Sequence, residues 1–337
     1  MNYIDTVRKQ LAAWATEHYG TAASLRGVTS LGGHSGVTIG FDICQPGLAD
    51  EQLVLKVPPL GVRAKDNFDV LRQVPLLRVL GEHGVVSPAI RWSSDDVRWF
   101  GQPYIVMTKL PGRTLADIFD RHAPRVPDSC GPLFFEAMQS LIQIHSIHGL
   151  RSLQDWSTPR TLGMEIDHWV SVLKKSTNAE WIREGMEVHA LLHAAAPRSW
   201  VTGLVHGDFY SNNWLFDQGK LTGVVDWEST TIGPILLDLG WVSMMYDAEG
   251  WGPMRRDRMG WHPKPDALIA AYARRSSVDL SDINWYRALA GYRLACNTAY
   301  YFEMHESGKR HNPAWDVLGE SFPFMLARAR ALLKTRT

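Results

Sequence analysis

The stretch GLVHGDFYSNNWLFDQGKLTGVVDWESTTIGPILLDLGW, residues 203–241, concentrates side chains whose chemistry packing explains poorly. A β-like approach through Leu204 and Val205 leads into His206-Gly207-Asp208, and Asn213 follows five residues after the aspartate. Two apolar runs, 214–216 and 221–225, flank Asp217-Gln218-Gly219-Lys220, a pattern that predicts a hairpin. Its second strand delivers Asp226, then Trp227 and Glu228. A hairpin returns its end beside its beginning, so Asp226 is expected near Asp208 and Asn213. Such a group of oxygen donors suits a hard cation such as Mg²⁺, which is typically held by one or two carboxylates plus substrate phosphates. Asn213 and Asp226 suit that role. Asp208 is then free to orient a hydroxyl and accept its proton. A purely turn-capping role for the three is the weaker reading. For Glu228, bonding to backbone is preferred over assistance to the metal.

Phosphoryl chemistry also needs a grip on phosphates. Lys56 sits inside the apolar run LVLKVPP, where a charge is costly without a partner. From there an ammonium can reach the α- and β-phosphates of ATP; the competing reading is a snorkelling edge-strand lysine. Upstream, Gly32, Gly33 and Gly36 let backbone N–H groups approach phosphates without side-chain clash, or simply make a hairpin turn. Ser35 either covers a phosphate or completes that turn.

The elements that must position these groups follow from periodicity. Residues 1–20 read as an amphipathic helix with Ile4, Val7, Leu11 and Trp14 on one face. VTSLGGHSGVTIGFDIC reads as two strands around a glycine turn, and LVLKVPP as a buried third strand. A helix is expected around 68–83, with Pro75 either in its first turn or at a kink. AIRWSS and the run 104–107 complete a mostly antiparallel sheet. LPGRTL breaks the pattern, and beyond it the chain reads as mostly helical. The expected fold is α+β and bilobal: a small antiparallel-sheet lobe at 1–108 and a larger, mainly helical lobe at 109–337.

Composition narrows the partners. Lys plus Arg and Asp plus Glu both number 35 among 337 residues, unlike the basic balance usual in nucleic-acid binders. Three dispersed cysteines without CxxC spacing argue against a disulfide framework or zinc site and for a reducing compartment. The N-terminus lacks a signal-peptide core, and no run of about 18 apolar residues occurs. A cytoplasmic protein with neither nucleic-acid nor membrane partners is expected, its oligomeric state open.

Taken together, HGDFYSNN, DWE, LVLKV, LGGHSG and IVMTKLPG resemble the catalytic loop, metal loop, phosphate lysine, nucleotide loop and hinge of one family. It is the aminoglycoside phosphotransferase and choline kinase-like family, which shares the protein-kinase-like fold. The resemblance runs in order over about residues 25–245. It implies an ATP- and Mg²⁺-dependent kinase acting on a hydroxyl of a small molecule. Asp208 would be the catalytic base, with Asn213 and Asp226 on the metal. Lys56, Gly33, Ser35 and Gly36 would face the phosphates, and the backbone of Met107, Thr108 and Lys109 the adenine. Asp238 would buttress the catalytic loop and His206 would be structural. The short run from Asp226 to Asp238 leaves no room for a long activation loop.

One departure concerns the helix glutamate that usually pairs with the phosphate lysine. Its position reads Gln73 here, which can hydrogen-bond Lys56 but supplies no ion pair. Glu82 is expected at the far end of the helix. The departure motivates a second reading, a weak or inactive nucleotide-binding protein of the same fold. For the acceptor, a slightly basic tail after Asp238 disfavours a polycationic aminoglycoside. Choline would use Trp241, Trp251, Trp261, Tyr300 and Tyr301. A neutral or anionic hydroxylated metabolite fits at least as well, with Arg293, Asn297 and Tyr300 as candidate lining. Arg255, Arg256 and Arg258 read as a solvated face before an anion site.

Overall fold

The computed structural model describes residues 3–32, 36–59, 62, 68–118, 130–147, 153, 155–259, 262–312 and 314–335. The expected nucleotide-loop residues Gly33 and Ser35, and Trp261, lie outside them. Helix α1 (Tyr3–Tyr19) buries Val7, Leu11 and Trp14 against a five-stranded sheet. The strands are β1 (Ser24–Ser30), β2 (Val37–Cys44), β3 (Glu51–Val57), β4 (Ile90–Ser94) and β5 (Tyr104–Thr108). Their order is β1-β2-β3-β5-β4, and every neighbouring pair is antiparallel.

Side chains alternate across a strand, and here the alternation sorts two cores. Leu53, Leu55, Val57, Tyr104 and Val106 pack with α1, whereas Val54, Ile105 and Met107 face the other way. Lys56 shares the face of Val54, on a central strand rather than an edge, and is only 7% exposed. Helix α2 (Gln73–Glu82) covers that inner face. Pro75 sits in its first turn, where a missing N–H breaks no intrahelical bond, so no kink is needed.

The inner face does not stop at the sheet. Val54, Ile105 and Met107 belong to one apolar cluster with Phe134, Leu141 and Trp214 of the helical part. Arg72, just before α2, donates to the Thr230 carbonyl at 2.8 Å and lies over the Trp156 indole, 3.9 Å from its centroid.

After β5 come β6 (Arg113–Thr114), α3 (Leu115–Ile118), α4 (Gly131–His145), α5 (Leu162–Leu173) and α6 (Ala179–Ala194). Then follow β7 (Thr202–Val205), β8 (Trp214–Asp217), β9 (Lys220–Val224) and β10 (Thr231–Pro234). The chain finishes with α7 (Leu236–Met245), α8 (Pro253–Arg256), α9 (Pro265–Ala273), α10 (Ile283–Glu306) and α11 (Ala314–Lys334). Strands β8 and β9 form the expected hairpin. Gln218 and Gly219 at its tip both have positive φ, 47° and 78°, as a two-residue turn matched to strand twist requires. The architecture is the expected α+β: a small antiparallel sheet first, a larger helical assembly after it. The three cysteines are buried and, among the described residues, form no disulfide, and no helix there is long and apolar enough to cross a membrane.

Candidate active site

Two short strands and one buried aspartate set the loop at 206–208. β7 pairs with β10, which brings His206-Gly207-Asp208 alongside Ser229 and Thr230. Asp238, near the start of α7 and fully buried, accepts from the backbone N–H of His206 at 2.7 Å and of Gly207 at 2.8 Å. This is the buttress expected from the sequence. A second brace was not read there: His145 of α4 lies 3.2 Å from Asp238 Oδ2 through Nε2 and 2.8 Å from the Tyr272 hydroxyl through Nδ1. Nε2–H donating to the carboxylate and Nδ1 accepting the hydroxyl satisfies both contacts.

His206 is structural, as anticipated. The Asp208 N–H donates to its Nδ1 at 3.2 Å, which leaves Nε2–H to donate to the Val225 carbonyl at 3.0 Å. One imidazole thus links the loop at 206–208 to the end of β9. Gly207 has φ of 84°, and a Cβ there would meet the Ser229 carbonyl oxygen at 2.5 Å. Only glycine combines that backbone with that approach.

The Asn213 amide donates to the Asp208 carbonyl at 2.8 Å and to its Oδ2 at 3.0 Å. Among the described residues its own side-chain oxygen accepts no hydrogen bond. Burial pushes the Asp208 carboxyl above its ordinary value, and Glu228 adds to the rise; Arg293, His206 and the Asn213 hydrogen bond oppose it. Asp226 is held in the left-handed region, φ 65° and ψ 57°, an uncommon conformation for a non-glycine residue and one that clusters at functional sites.

Lys56 closes the group. Its Nζ lies 2.7 Å from Glu228 Oε2 and 3.6 Å from Asp226 Oδ1. The Lys56 and Glu228 side chains are 9% and 12% exposed, whereas Asp226 is 40% exposed. Gln73 opens α2 and is buried, but its Nε2 has no partner among the described residues. The carboxylate facing the lysine therefore comes from the loop after β9, not from the helix. Glu228, read from the sequence as bonding to backbone or assisting the metal, forms an ion pair across 172 positions of sequence. The sequence offered one signal: an acid two residues beyond Asp226 beside an amide where an acid was expected.

At the expected hinge, the N–H groups of Thr108 and Lys109 already donate to Ala89 and Gln52, each at 2.9 Å. These two backbone donors are therefore already engaged within the protein. Gly36 lies so close to β3 that a Cβ would meet the Val57 carbonyl oxygen at 2.7 Å. The donor set passes a test for a hard cation. The Asp226 carboxylate is reachable from solvent and the Asn213 oxygen is uncommitted, both donors of the type Mg²⁺ takes.

These features define a kinase-like phosphotransferase class, and solved structures share the fold over nearly the whole chain. A protein of Ralstonia eutropha proposed to be an aminoglycoside phosphotransferase matches with a TM-score of 0.76 at 20% identity, covering 97% of this chain and 98% of the other. A choline/ethanolamine kinase family protein of Mesorhizobium loti matches at 0.59 and 18%, covering 98% and 95%. A thermostable mutant of the aminoglycoside phosphotransferase APH(4)-Ia, in ternary complex with AMP-PNP and hygromycin B, matches at 0.58 and 15%, covering 96% and 98%. The model of the phosphotransferase enzyme family matches residues 45–288, and the chain belongs to that family.

Curated relatives are long proteins. Acyl-CoA dehydrogenase family member 10 of Mus musculus is 28% identical over 59% of this chain and 19% of its own length. Acyl-CoA dehydrogenase family member 11 of Homo sapiens is 23% identical over 72% of this chain and 32% of its own. The chain thus spans about a fifth to a third of the relatives it matches.

Proposed function

We propose that this chain transfers the γ-phosphoryl group of ATP to a hydroxyl of a small molecule, with Asp208 as the catalytic base. The nucleotide lies between the lobes 1–108 and 109–337, its phosphates on Lys56 and the glycine turn at Gly33, Ser35 and Gly36. The adenine meets the backbone at Met107, Thr108 and Lys109. Asn213 and Asp226 would hold Mg²⁺, which when bound supplies charge neutralisation for the phosphates. Asp208 orients the acceptor hydroxyl in line and takes its proton. The acceptor oxygen then bonds to the γ-phosphorus as the bond from that phosphorus to the bridging oxygen breaks, leaving ADP. Asn213 fixes the Asp208 carboxylate, and Lys56 counters charge on the phosphates.

One observation carries this reading. A lysine on the inner face of the small sheet meets Asp226 and Glu228, on a loop joined through His206 to the Asp208–Asn213 pair. Groups separated by some 170 positions converge where a phosphoryl transfer needs a cation, metal ligands and a base. Glu228 also bears on the reading as an inactive nucleotide binder. That reading was motivated by Gln73, and the lysine has its carboxylate from elsewhere.

The test is a nucleotide-consumption screen over hydroxylated metabolites with Mg²⁺ and ATP, run beside Asp208→Asn. Turnover of an acceptor is expected for the parent and a loss of at least 10³-fold for the variant, while Mg-ATP still stabilises both against heat. Undiminished turnover in Asp208→Asn would remove the base from the mechanism.

A further inference from the structure

We propose that the acceptor carries an anionic oxygen group, carboxylate or phosphate, that docks on Arg293; this rests on the phosphotransferase reading of the same site. A cavity of about 120 Å³ opens beside the catalytic loop, bounded by Gly207, Ser229, Trp169, Trp241 and Arg293 among others. Arg293 projects from α10, with its guanidinium carbon 3.9 Å from the centroid of Trp241 and 4.8 Å from that of Trp169. A guanidinium resting on aromatic faces keeps its N–H edge for a planar partner.

No such partner is present among the described residues. The Nε of Arg293 is buried without a hydrogen bond, and no carboxylate stands within ion-pair distance of the guanidinium. The other charges of the cavity are committed. Arg160 pairs with Glu165 at 2.5 Å, and Asp238 is held by two backbone N–H groups and His145. Burial, with the cations Arg160, Arg293 and Lys175, holds His168 below its ordinary value, while Asp208, Glu165 and Asp238 act on Arg293 without forming an ion pair with it among the described residues. A half-buried guanidinium with its Nε enclosed and unbonded is costly, and a substrate anion is the group that would offset it. Gly207, the chain neighbour of Asp208, lines the same cavity as Arg293, so a molecule anchored on the guanidinium has its neighbouring hydroxyl on the side of the base. A polycationic acceptor would meet repulsion in the same place.

The experiment uses the full chain and matched probes. Glycerate and hydroxybutyrates are compared with their primary amides, and glycerol 3-phosphate with glycerol. Each is assayed for Mg-ATP consumption and, separately, for thermal stabilisation of the protein without nucleotide. The parent is expected to favour the anionic member of at least one pair tenfold or more, in turnover or in binding. Arg293→Met should reduce that preference to within about threefold, and Arg293→Lys should restore part of it. Amides that bind and turn over as well as the acids, or a preference unchanged in Arg293→Met, would overturn the proposal. Should Arg293→Met fail to fold, the acid-against-amide comparison in the parent decides alone. Failure of the phosphotransferase reading itself shows differently: ATP would go unconsumed with every probe while acids still bound over amides. The carboxylate and phosphate pairs report separately which anion is preferred.

Discussion

Replacing Glu228 with glutamine tests whether the metal-loop glutamate stands in for the missing helix acid. Lys56 and Glu228 are 2.7 Å apart and nearly buried. At an effective dielectric of about 20 their attraction is about 6 kcal/mol. Desolvation of the two ions offsets most of that, so the intact pair adds little net stability. Removing one partner alone costs about 3–5 kcal/mol, because the remaining charge is stranded. Asp226, 3.6 Å from the same ammonium but 40% exposed, takes up part of the deficit. The expected loss in Glu228→Gln is therefore about 2 kcal/mol in unfolding free energy. A similar loss, about thirtyfold, is expected in kcat/KM for ATP, since the lysine is no longer aimed. A double-mutant cycle with Lys56→Met, read by denaturant unfolding and by ATP kinetics, should give a coupling of about 1–2 kcal/mol. Additivity within about 0.5 kcal/mol in both readouts would refute the reasoning and return Glu228 to a local role.

Other outcomes follow from the same geometry. The raised Asp208 carboxyl must be ionised to act as a base, so kcat/KM should fall on the acid side at a pH above the ordinary aspartate range. An acid limb at or below that range would contradict it. The linkage runs the other way for stability. A carboxyl raised in the folded state gives stability that is present below its unfolded value and lost as pH rises through its folded value. Asp208→Asn should therefore melt no lower than the parent at pH 7 by calorimetry. Asp238→Asn keeps one acceptor for two backbone donors and should cost about 3 kcal/mol in denaturant unfolding, with activity falling in parallel. Gly207→Ala forces a Cβ against the Ser229 carbonyl at a positive φ, and should reduce kcat by at least tenfold with a lowered melting midpoint. Asn213→Ala should raise the Mg²⁺ concentration needed for half-maximal activity by at least tenfold in a metal titration.

Much of this arrangement was legible in the chain because it is local. The hairpin that returns Asp226 toward Asp208 is written in two apolar runs around Gln218-Gly219, whose positive φ values the turn requires. The sheet strands followed from alternation, whereas Pro75 stayed open between a first-turn position and a kink until α2 placed it in the first turn. What stayed hidden was pairing across long separations. Nothing in the periodicity of α4 tells that His145 braces Asp238, or that Tyr272 answers it from α9. Glu228 read as local because its partner lies 172 positions earlier. Arg293 was legible as cavity lining, but its indole contacts and lack of a counter-ion come from helix packing that only coordinates define.

The inner face of the five-stranded sheet shares its apolar cluster with the helical part, through Val54, Ile105 and Met107. An oily seam of this kind couples the two parts, so a single melting transition is expected rather than one for each. Severing the polypeptide between them would lay bare Val54, Ile105 and Met107 to water, favouring self-association of the fragment over an autonomous small domain.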